Sequence, residues 1–403
     1  MRAKQASYKR AIIKHLYFNK ELSCADLSLF TGKSLPLTTK ILYELIEESI
    51  VVETGFASST GGRRPLMYSL KEDQMYILGV SMDQKMTRIV LMDIHNKYIS
   101  EVKKIELSLI NNSKALIQLT DSINNYLISS GVQTSKVVGI GIGMPGFVDV
   151  VKGINHSCLI TEKDKSIVDV ISNAVGIPVW IDNDSTLIAL SELRFGAAKG
   201  RQNTMVVNVG WGIGLGMILE GKLFRGNNGF AGEFSHMSIC ESNKMCTCGK
   251  SGCLETEASL LVMVEKAIKG IQQGEQTILK NISIEHLEHS SEAIMEAAVK
   301  GDKFSVELIS EAGYFIGRGV AILIHLLNPE LIILSGRGSA AGKLWLTPIQ
   351  QAINEYCIPK LAQDTDIEIS TLGYQAELIG AAALVMEHLD EMIIIKNKIK
   401  ERA

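Results

Sequence analysis

The feature that most constrains the fold is a cluster of one histidine and three cysteines within eighteen residues, at His236, Cys246, Cys248 and Cys253. One imidazole and three thiolates make a complete tetrahedral ligand set for structural zinc, with no position left open for chemistry. Gly249 and Gly252 lie between the cysteines and supply the turns that such a loop needs. The sequence therefore predicts one structural zinc ion per chain.

Two carboxylates flank this cluster: Glu233 precedes His236 by three residues, and Glu255 follows Cys253 by two. A bound metal ion would hold both carboxylates near one point, and such a group beside an imidazole suits a polyhydroxylated ligand. The other four of the seven cysteines look like ordinary thiols, and they are Cys24, Cys158, Cys240 and Cys357.

Length and charge divide the chain into a small basic part and a larger acidic part. The 403 residues suffice for two or three domains. Residues 1–70 carry ten Lys or Arg and six Asp or Glu, a net charge of about +4. Because the whole chain has a net charge of −3, the remaining residues carry about −7. There is no run of about eighteen apolar residues and no signal-peptide pattern, so we expect a cytoplasmic protein with no membrane partner.

The first 72 residues have the pattern of a winged helix-turn-helix. Apolar residues at helical spacing predict a first helix. Ser23 suits the N-cap of a second helix, Gly32 suits a turn, and Ser34 suits the N-cap of a third helix. A hairpin wing follows. The candidate DNA-binding residues are Lys33, Leu35, Pro36, Thr39 and Lys40 near the third helix and Arg63 and Arg64 at the wing. A domain that mediates only protein contacts has the same helical pattern and remains an alternative.

From about Tyr76 the pattern changes to α/β, with apolar strands that alternate with longer helices. Strands are predicted at residues 76–80, 88–93, 137–143, 179–182, 204–209 and 331–334.

Several segments together resemble the ROK family of repressors, open reading frames and sugar kinases, and the resemblance covers nearly the whole chain. They are GIGMPGFVD at 141–149, IDND at 181–184, GEFSH at 232–236, CTCGKSGCLE at 246–255 and LNPE at 327–330. The N-terminal module, with GRRP at 62–65, resembles that of the family's repressors, which include the xylose and N-acetylglucosamine types.

The resemblance implies a two-lobed domain of the actin and hexokinase type, with a ribonuclease H-like fold. The first lobe would comprise residues 76–195 with a C-terminal helix at 376–395, and the second lobe residues 196–375. Chain crossings between the lobes are expected at 195–200 and near 372–373.

The resemblance also assigns a sugar site in the cleft of this domain. Its residues would be Asn183, Asp184, Glu233, His236 and Glu255, with Gly146 as a further candidate. In a kinase Asp184 would be the general base, whereas here it would only hold the sugar. Ser235 stands where the family commonly has glycine, which affects which sugar fits.

Two departures from the family's kinases argue against ATP turnover. The first phosphate loop reads GVSMDQ at 79–84, where the kinases have an acidic residue and a Gly-Gly turn, and Asp83 would repel phosphate. In the second loop, GWGIGLG at 210–216, Trp211 replaces the usual threonine and would crowd a nucleotide. No ATP cofactor and no catalytic residues are therefore expected.

The expected function is a sugar-responsive repressor of carbohydrate uptake or catabolism genes. Its partners would be a palindromic operator and a small sugar or sugar phosphate, and it would act as a homodimer or homotetramer. An active hexose or N-acetylhexosamine kinase with an appended DNA-binding module is the alternative. A protein-interaction module without either activity is a third possibility.

Overall fold

A computed structural model describes residues 2–58, 64–159, 161 and 165–391. The chain divides into two compact units: the first ends at Asn183 and resumes at Leu378, and the second spans Asp184–Glu377. The division thus falls at 183/184 and 377/378, not at residues 195 and 375 or at the expected crossings. The reason is that the helix after Asn183 packs on strands of the second unit.

The N-terminal module has three helices and a small sheet. The helices are α1 (Arg2–Asn19), α2 (Cys24–Thr31) and α3 (Leu35–Glu47), and the strands are β1 (Glu21–Ser23), β2 (Val51–Phe56) and β3 (Leu66–Leu70), in the order β1-β3-β2. Ser23 and Asp26 form a capping box at the start of α2, and Gly32 ends this helix in a left-handed conformation, at φ +61°. The predicted helix-turn-helix and wing are therefore present.

Two details of α3 differ from the sequence-based expectation. Ser34 stands at the N-cap but its side chain makes no capping hydrogen bond. Leu37 is apolar and yet 41% exposed, although the helical spacing of the apolar residues would place it on the buried face. Thr38 is buried instead, because its hydroxyl lies 2.6 Å from the hydroxyl of Tyr8 on α1.

The first unit continues with a five-stranded sheet in the order β10-β7-β4-β5-β6. Its strands are β4 (Tyr76–Met82), β5 (Met86–Asp93), β6 (Lys103–Glu106), β7 (Val137–Met144) and β10 (Val179–Asn183). The short pair β8 (Val148–Asp149) and β9 (Ile154–Asn155) follows β7, and the helices are α4 (Ala115–Ser129), α5 (Ile167–Val175) and, after the second unit, α13 (Ala376–Glu387).

The second unit has a sheet in the order β13-β12-β11-β14-β15. Its strands are β11 (Thr204–Val209), β12 (Ile213–Leu219), β13 (Lys222–Phe224), β14 (Leu331–Ser335) and β15 (Asp366–Ile369), and its helices are α6 (Asp184–Phe195), α7 (Glu255–Ala258), α8 (Leu260–Gln272), α9 (Leu287–Val299), α10 (Lys303–Leu327), α11 (Leu346–Tyr356) and α12 (Pro359–Ala362). In both sheets an antiparallel three-stranded meander is extended by two parallel strands, so the two units share one topology.

Helix α10 is the one helix in the described part of the chain with the length and hydropathy of a membrane span. However, 61% of its most apolar window is buried inside the protein. Ile309, Ile316 and Val320 of this helix belong to the core of the second unit. Its apolar composition is therefore accounted for by packing.

Polar contacts attach the N-terminal module to the rest of the first unit. Lys14 of α1 donates to the backbone carbonyl of Glu387 at the end of α13 and forms an ion pair with its carboxylate, both at 2.8 Å. The Tyr17 hydroxyl donates to Asn96 Oδ1 at 2.5 Å, in the turn after β5. Tyr17 is buried, and this burial raises its pKa. The module is therefore fixed through α1.

A buried carboxylate holds α6 in place within the second unit. Glu192 is fully buried, and its Oε1 accepts hydrogen bonds from the hydroxyls of Ser335 at the end of β14 and Ser370 directly after β15. Its Oε2 accepts one from the Ala197 amide at 3.1 Å. Burial raises the pKa of Glu192, and these donors oppose the rise. The helix that begins with Asp184 is thus attached to the carboxyl ends of β14 and β15.

Candidate metal centre and adjoining carboxylates

The segment 236–253 gathers the four predicted metal ligands. Isolated β-bridges pair Ser238 with Cys253 and Met245 with Ser251, and this folds the loop back on itself. Gly252 has φ +75°, and a side chain there would collide with the Cys240 carbonyl. The four ligand atoms, Nδ1 or Nε2 of His236 and the Sγ atoms of Cys246, Cys248 and Cys253, lie within 4.8 Å of one another.

The separations between these atoms fit a tetrahedron around a metal ion. Zinc bonds of about 2.3 Å to sulfur and about 2.0 Å to nitrogen imply edges of about 3.8 Å between sulfurs and about 3.5 Å from nitrogen to sulfur. The Cys248 and Cys253 sulfurs are 3.6 Å apart, and the Cys246 sulfur is 3.5 Å from His236 Nδ1. These two separations match the expected edges, and the four ligand atoms together are close enough to surround one metal ion.

The buried Cys253 thiol would need a cation to become a metal-binding thiolate. This thiol is fully buried, and burial, together with the neighbouring Cys248 and Cys246 thiols, raises its pKa to about 12. At neutral pH Cys253 would be a neutral thiol unless a cation held its thiolate. Three thiols around one imidazole form a donor set that could hold a metal ion.

The imidazole connects the cluster to Glu233. His236 Nδ1 faces the Cys246 sulfur, whereas Nε2 faces Glu233 Oε2 at 3.7 Å. With Nδ1 on the metal, the neutral ring carries its proton on Nε2, towards Glu233. Partial burial and the charge of Glu255 raise the pKa of Glu233, and His236 opposes this shift. Glu233, His236 and Glu255 are thus brought together, as the sequence predicts.

Asn183 and Gly146, two of the other predicted sugar-site residues, meet in the first unit. Asn183 ends β10, and its side-chain amide donates to the Gly146 carbonyl oxygen at 3.2 Å. Gly146 has φ +91°, and Ser157 leaves no room for a side chain there. Asp184 begins α6 in the second unit, where its Oδ1 accepts a hydrogen bond from the Ser185 amide at 2.7 Å.

The segment 79–84, which corresponds to the first phosphate loop of the kinases, ends in a tight hairpin turn between β4 and β5 that Asp83 closes. Its Oδ1 accepts hydrogen bonds from the amides of Lys85 and Met86, at 2.9 and 2.7 Å. Behind the turn, the buried Arg88 donates to the Ser81 hydroxyl at 2.7 Å. Two amides of this turn are therefore occupied by a carboxylate of the protein itself.

The second glycine-rich loop carries an aromatic and guanidinium stack that the sequence did not predict. The guanidinium carbon of Arg337 lies 4.8 Å from the centre of the Trp211 ring and 3.9 Å from that of Tyr374. Arg337 also forms a 2.9 Å ion pair with Glu288 and donates to the Tyr374 hydroxyl. The only sequence signal was an arginine between two glycines directly after β14.

Most of the candidate DNA-binding residues are exposed. Lys33, Leu35, Pro36, Lys40 and Arg64 lie on the surface of the N-terminal module, whereas Arg63 lies outside the described residues. Thr39 is half-buried, and its hydroxyl donates to the Leu35 carbonyl at 2.9 Å and lies 3.3 Å from the Cys24 sulfur. It is therefore less accessible to DNA. Tyr43, which the sequence analysis missed, is 58% exposed one turn after Lys40.

Comparisons with known proteins agree with this architecture. A xylose repressor of Caldicellulosiruptor bescii is 29% identical over 384 residues, which cover 94% of this chain and 96% of that protein. A glucokinase of Halalkalibacterium halodurans is 33% identical over 276 residues, 68% of this chain and 84% of the enzyme. The crystal structure of a ROK family transcriptional regulator, a homologue of the E. coli MLC protein, is similar at a TM-score of 0.77 and 28% identity, over 97% of this chain and 99% of that one.

The fold and these similarities define a kinase-like α/β domain that follows an N-terminal module of the type found in DNA-binding proteins. Residues 78–388 match the ROK family, and the chain belongs to it. The predicted fold class and family are thereby confirmed.

Proposed function

We propose that this protein is a sugar-responsive transcriptional repressor of genes for carbohydrate uptake or catabolism. The observation that carries the proposal is the winged helix-turn-helix fixed to a ROK domain, in a chain that aligns with repressors over nearly its whole length. The glucokinase, in contrast, aligns with 68% of this chain. Operator DNA would be palindromic and bound by a homodimer or homotetramer in the cytoplasm, with residues 1–72 as the DNA-binding domain.

The sugar would be bound by amide, carboxylate and imidazole groups of the ROK domain. Asn183, Asp184, Glu233, His236 and Glu255 would accept and donate hydrogen bonds to its hydroxyls, with Gly146 alongside. One structural zinc ion, held by His236, Cys246, Cys248 and Cys253, would keep His236 in one orientation. Sugar would change DNA affinity to the extent that it binds one conformation more tightly than the other.

We further propose that the domain does not turn over ATP. The amides of Lys85 and Met86 donate to Asp83, whose charge would repel a phosphate group. Trp211 carries the Arg337 guanidinium against its ring, which leaves less room at the second glycine-rich loop. These contacts favour a regulator. The kinase alternative is supported by the 33% identity to a glucokinase.

Sugar binding and ATP turnover are measured on the same zinc-loaded protein. The panel is D-xylose, D-glucose, N-acetyl-D-glucosamine and the 6-phosphates of the last two. We expect one compound to raise the melting temperature by several degrees, because it binds the native state only. Asp184→Asn should remove this shift, whereas Asp366→Asn, at an exposed carboxylate on β15, should preserve it. Magnesium-dependent ADP formation should stay at the sugar-free rate, and sugar-dependent turnover would instead establish the kinase alternative.

A further inference from the structure

Asn155, at the end of β9, lies next to the proposed sugar site without belonging to it. Its side chain is buried, and only 4% of the residue is exposed. The amide nitrogen donates to the Pro145 carbonyl at 2.9 Å. The amide oxygen accepts hydrogen bonds from the backbone amides of Ser157 and Cys158, at 2.8 and 2.9 Å. One side chain thus ties the loop after β7 to the chain that follows β9.

The loop that Asn155 braces has a fixed and unusual conformation. Gly146 is in the left-handed region, at φ +91°, with Ser157 packed against its α-carbon. The Ser157 hydroxyl accepts a hydrogen bond from the Phe147 amide at 3.0 Å, and Phe147 in turn accepts one from the His156 amide at 2.9 Å. The direction of the Gly146 carbonyl is therefore set by the segment 155–158.

The Gly146 carbonyl in turn orients Asn183. Because the Asn183 side-chain nitrogen donates to this carbonyl, the amide is held in one of the two orientations related by a flip of about 180°. This fixes the position of its oxygen. If the loop moved, the Asn183 amide would lose a contact that orients it, and its rotation would be less restrained. Because a sugar hydroxyl is recognised by direction as well as distance, such rotation would weaken binding and blur discrimination between epimers.

We propose that Asn155 is a positioning residue for sugar recognition, which acts through Gly146 on the Asn183 side chain. This inference rests on the proposed function, because it requires that Asn183 binds a sugar. It assigns to Asn155 no contact with the sugar itself. The sugar affinity and the epimer selectivity of the site should therefore depend on Asn155, although Asn155 does not contact the sugar.

A double-mutant cycle in the full-length, zinc-loaded protein tests this inference. Calorimetric titrations with D-xylose, D-glucose and N-acetyl-D-glucosamine identify the sugar that binds, and its C2 epimer (D-lyxose, D-mannose or N-acetyl-D-mannosamine) gives the selectivity. We expect Asn155→Ala to weaken affinity by about 20-fold and to reduce selectivity. In an Asn183→Ala background, Asn155→Ala should cost less than about 3-fold, because the residue through which it acts is already gone.

Two further variants separate positioning from general stability. Asn112→Ala removes a half-buried asparagine that braces residues 108–114 of the same unit, and it should leave sugar affinity unchanged. Asn155→Asp keeps the acceptor for two amides but loses the donor to Pro145, so its affinity should fall between those of the native and alanine proteins. Equal, additive losses from Asn155→Ala in both backgrounds, or unchanged selectivity, would overturn the inference while the sugar site stands. No binding of any of the three sugars to the native protein would overturn the proposed function itself.

Discussion

Cys248→Ser is expected to abolish stoichiometric zinc binding and to lower the melting temperature by about 10 °C. Cys248 is the exposed member of the cluster, so in a metal-free protein its loss would alter stability by no more than about 0.5 kcal/mol. Structural zinc contributes about 10–16 kcal/mol of binding energy in small metal-dependent domains, and a lost ligand would remove a sizeable part. A loss of about 3 kcal/mol corresponds to about 6–12 °C for a unit of this size.

The loss of the metal should also weaken sugar binding by about 100-fold, because His236 would no longer be fixed. Metal content is measured by mass spectrometry of the dialysed protein, and stability by calorimetry. Cys240→Ser is the matched control, since Cys240 lies in the same loop but outside the four-residue cluster. A Cys248→Ser protein with one tightly bound zinc and native sugar affinity would refute the zinc assignment.

Lys40→Glu is expected to weaken operator binding by about 100-fold at about 0.1 M salt. Lys40 is exposed on α3, and its cation would neutralise a phosphate near the major groove. Reversal of the charge removes one phosphate contact, together with the counterion that this contact releases, and adds repulsion. The dependence of log affinity on log salt should therefore become shallower by at least about 1. Arg64→Ala at the wing should cost about 10-fold.

Lys114→Glu provides the control for this charge reversal. Lys114 is exposed at the start of α4, in the same unit but outside the helix-turn-helix and the wing. It should leave both the affinity and the salt slope unchanged in fluorescence anisotropy titrations. If Lys40→Glu and Lys114→Glu have equal effects, α3 does not contact DNA, and the protein-contact alternative for the module gains support.

Features governed by local chemistry could be predicted from the sequence. Ser23 and Gly32 mark the ends of α2 because a cap and a left-handed residue are local requirements. The metal cluster was predictable because its cysteines and turn glycines lie within one loop. Six of the ten strands in the two five-stranded sheets were recognisable as short apolar runs for the same local reason, whereas β6, β12, β13 and β15 were not predicted.

Features that depend on distant contacts could not be predicted. The burial of Thr38 depends on Tyr8 in another helix, and the Arg337 stack joins residues from three separate segments. The end of the first unit at Asn183 depends on where α6 packs, which composition does not reveal. The role of Asn155 could not be predicted, because its three backbone partners are identified only once the conformation of the surrounding chain is known.

The central claim is tested most directly by capture of fragmented genomic DNA on the purified protein, with sequencing of the bound fragments with and without each panel sugar. The account predicts enrichment of a palindrome beside sugar-uptake or catabolic genes, which is lost when one sugar is added. Absence of selective enrichment under every condition would contradict the claim that this ROK family protein is a DNA-binding repressor.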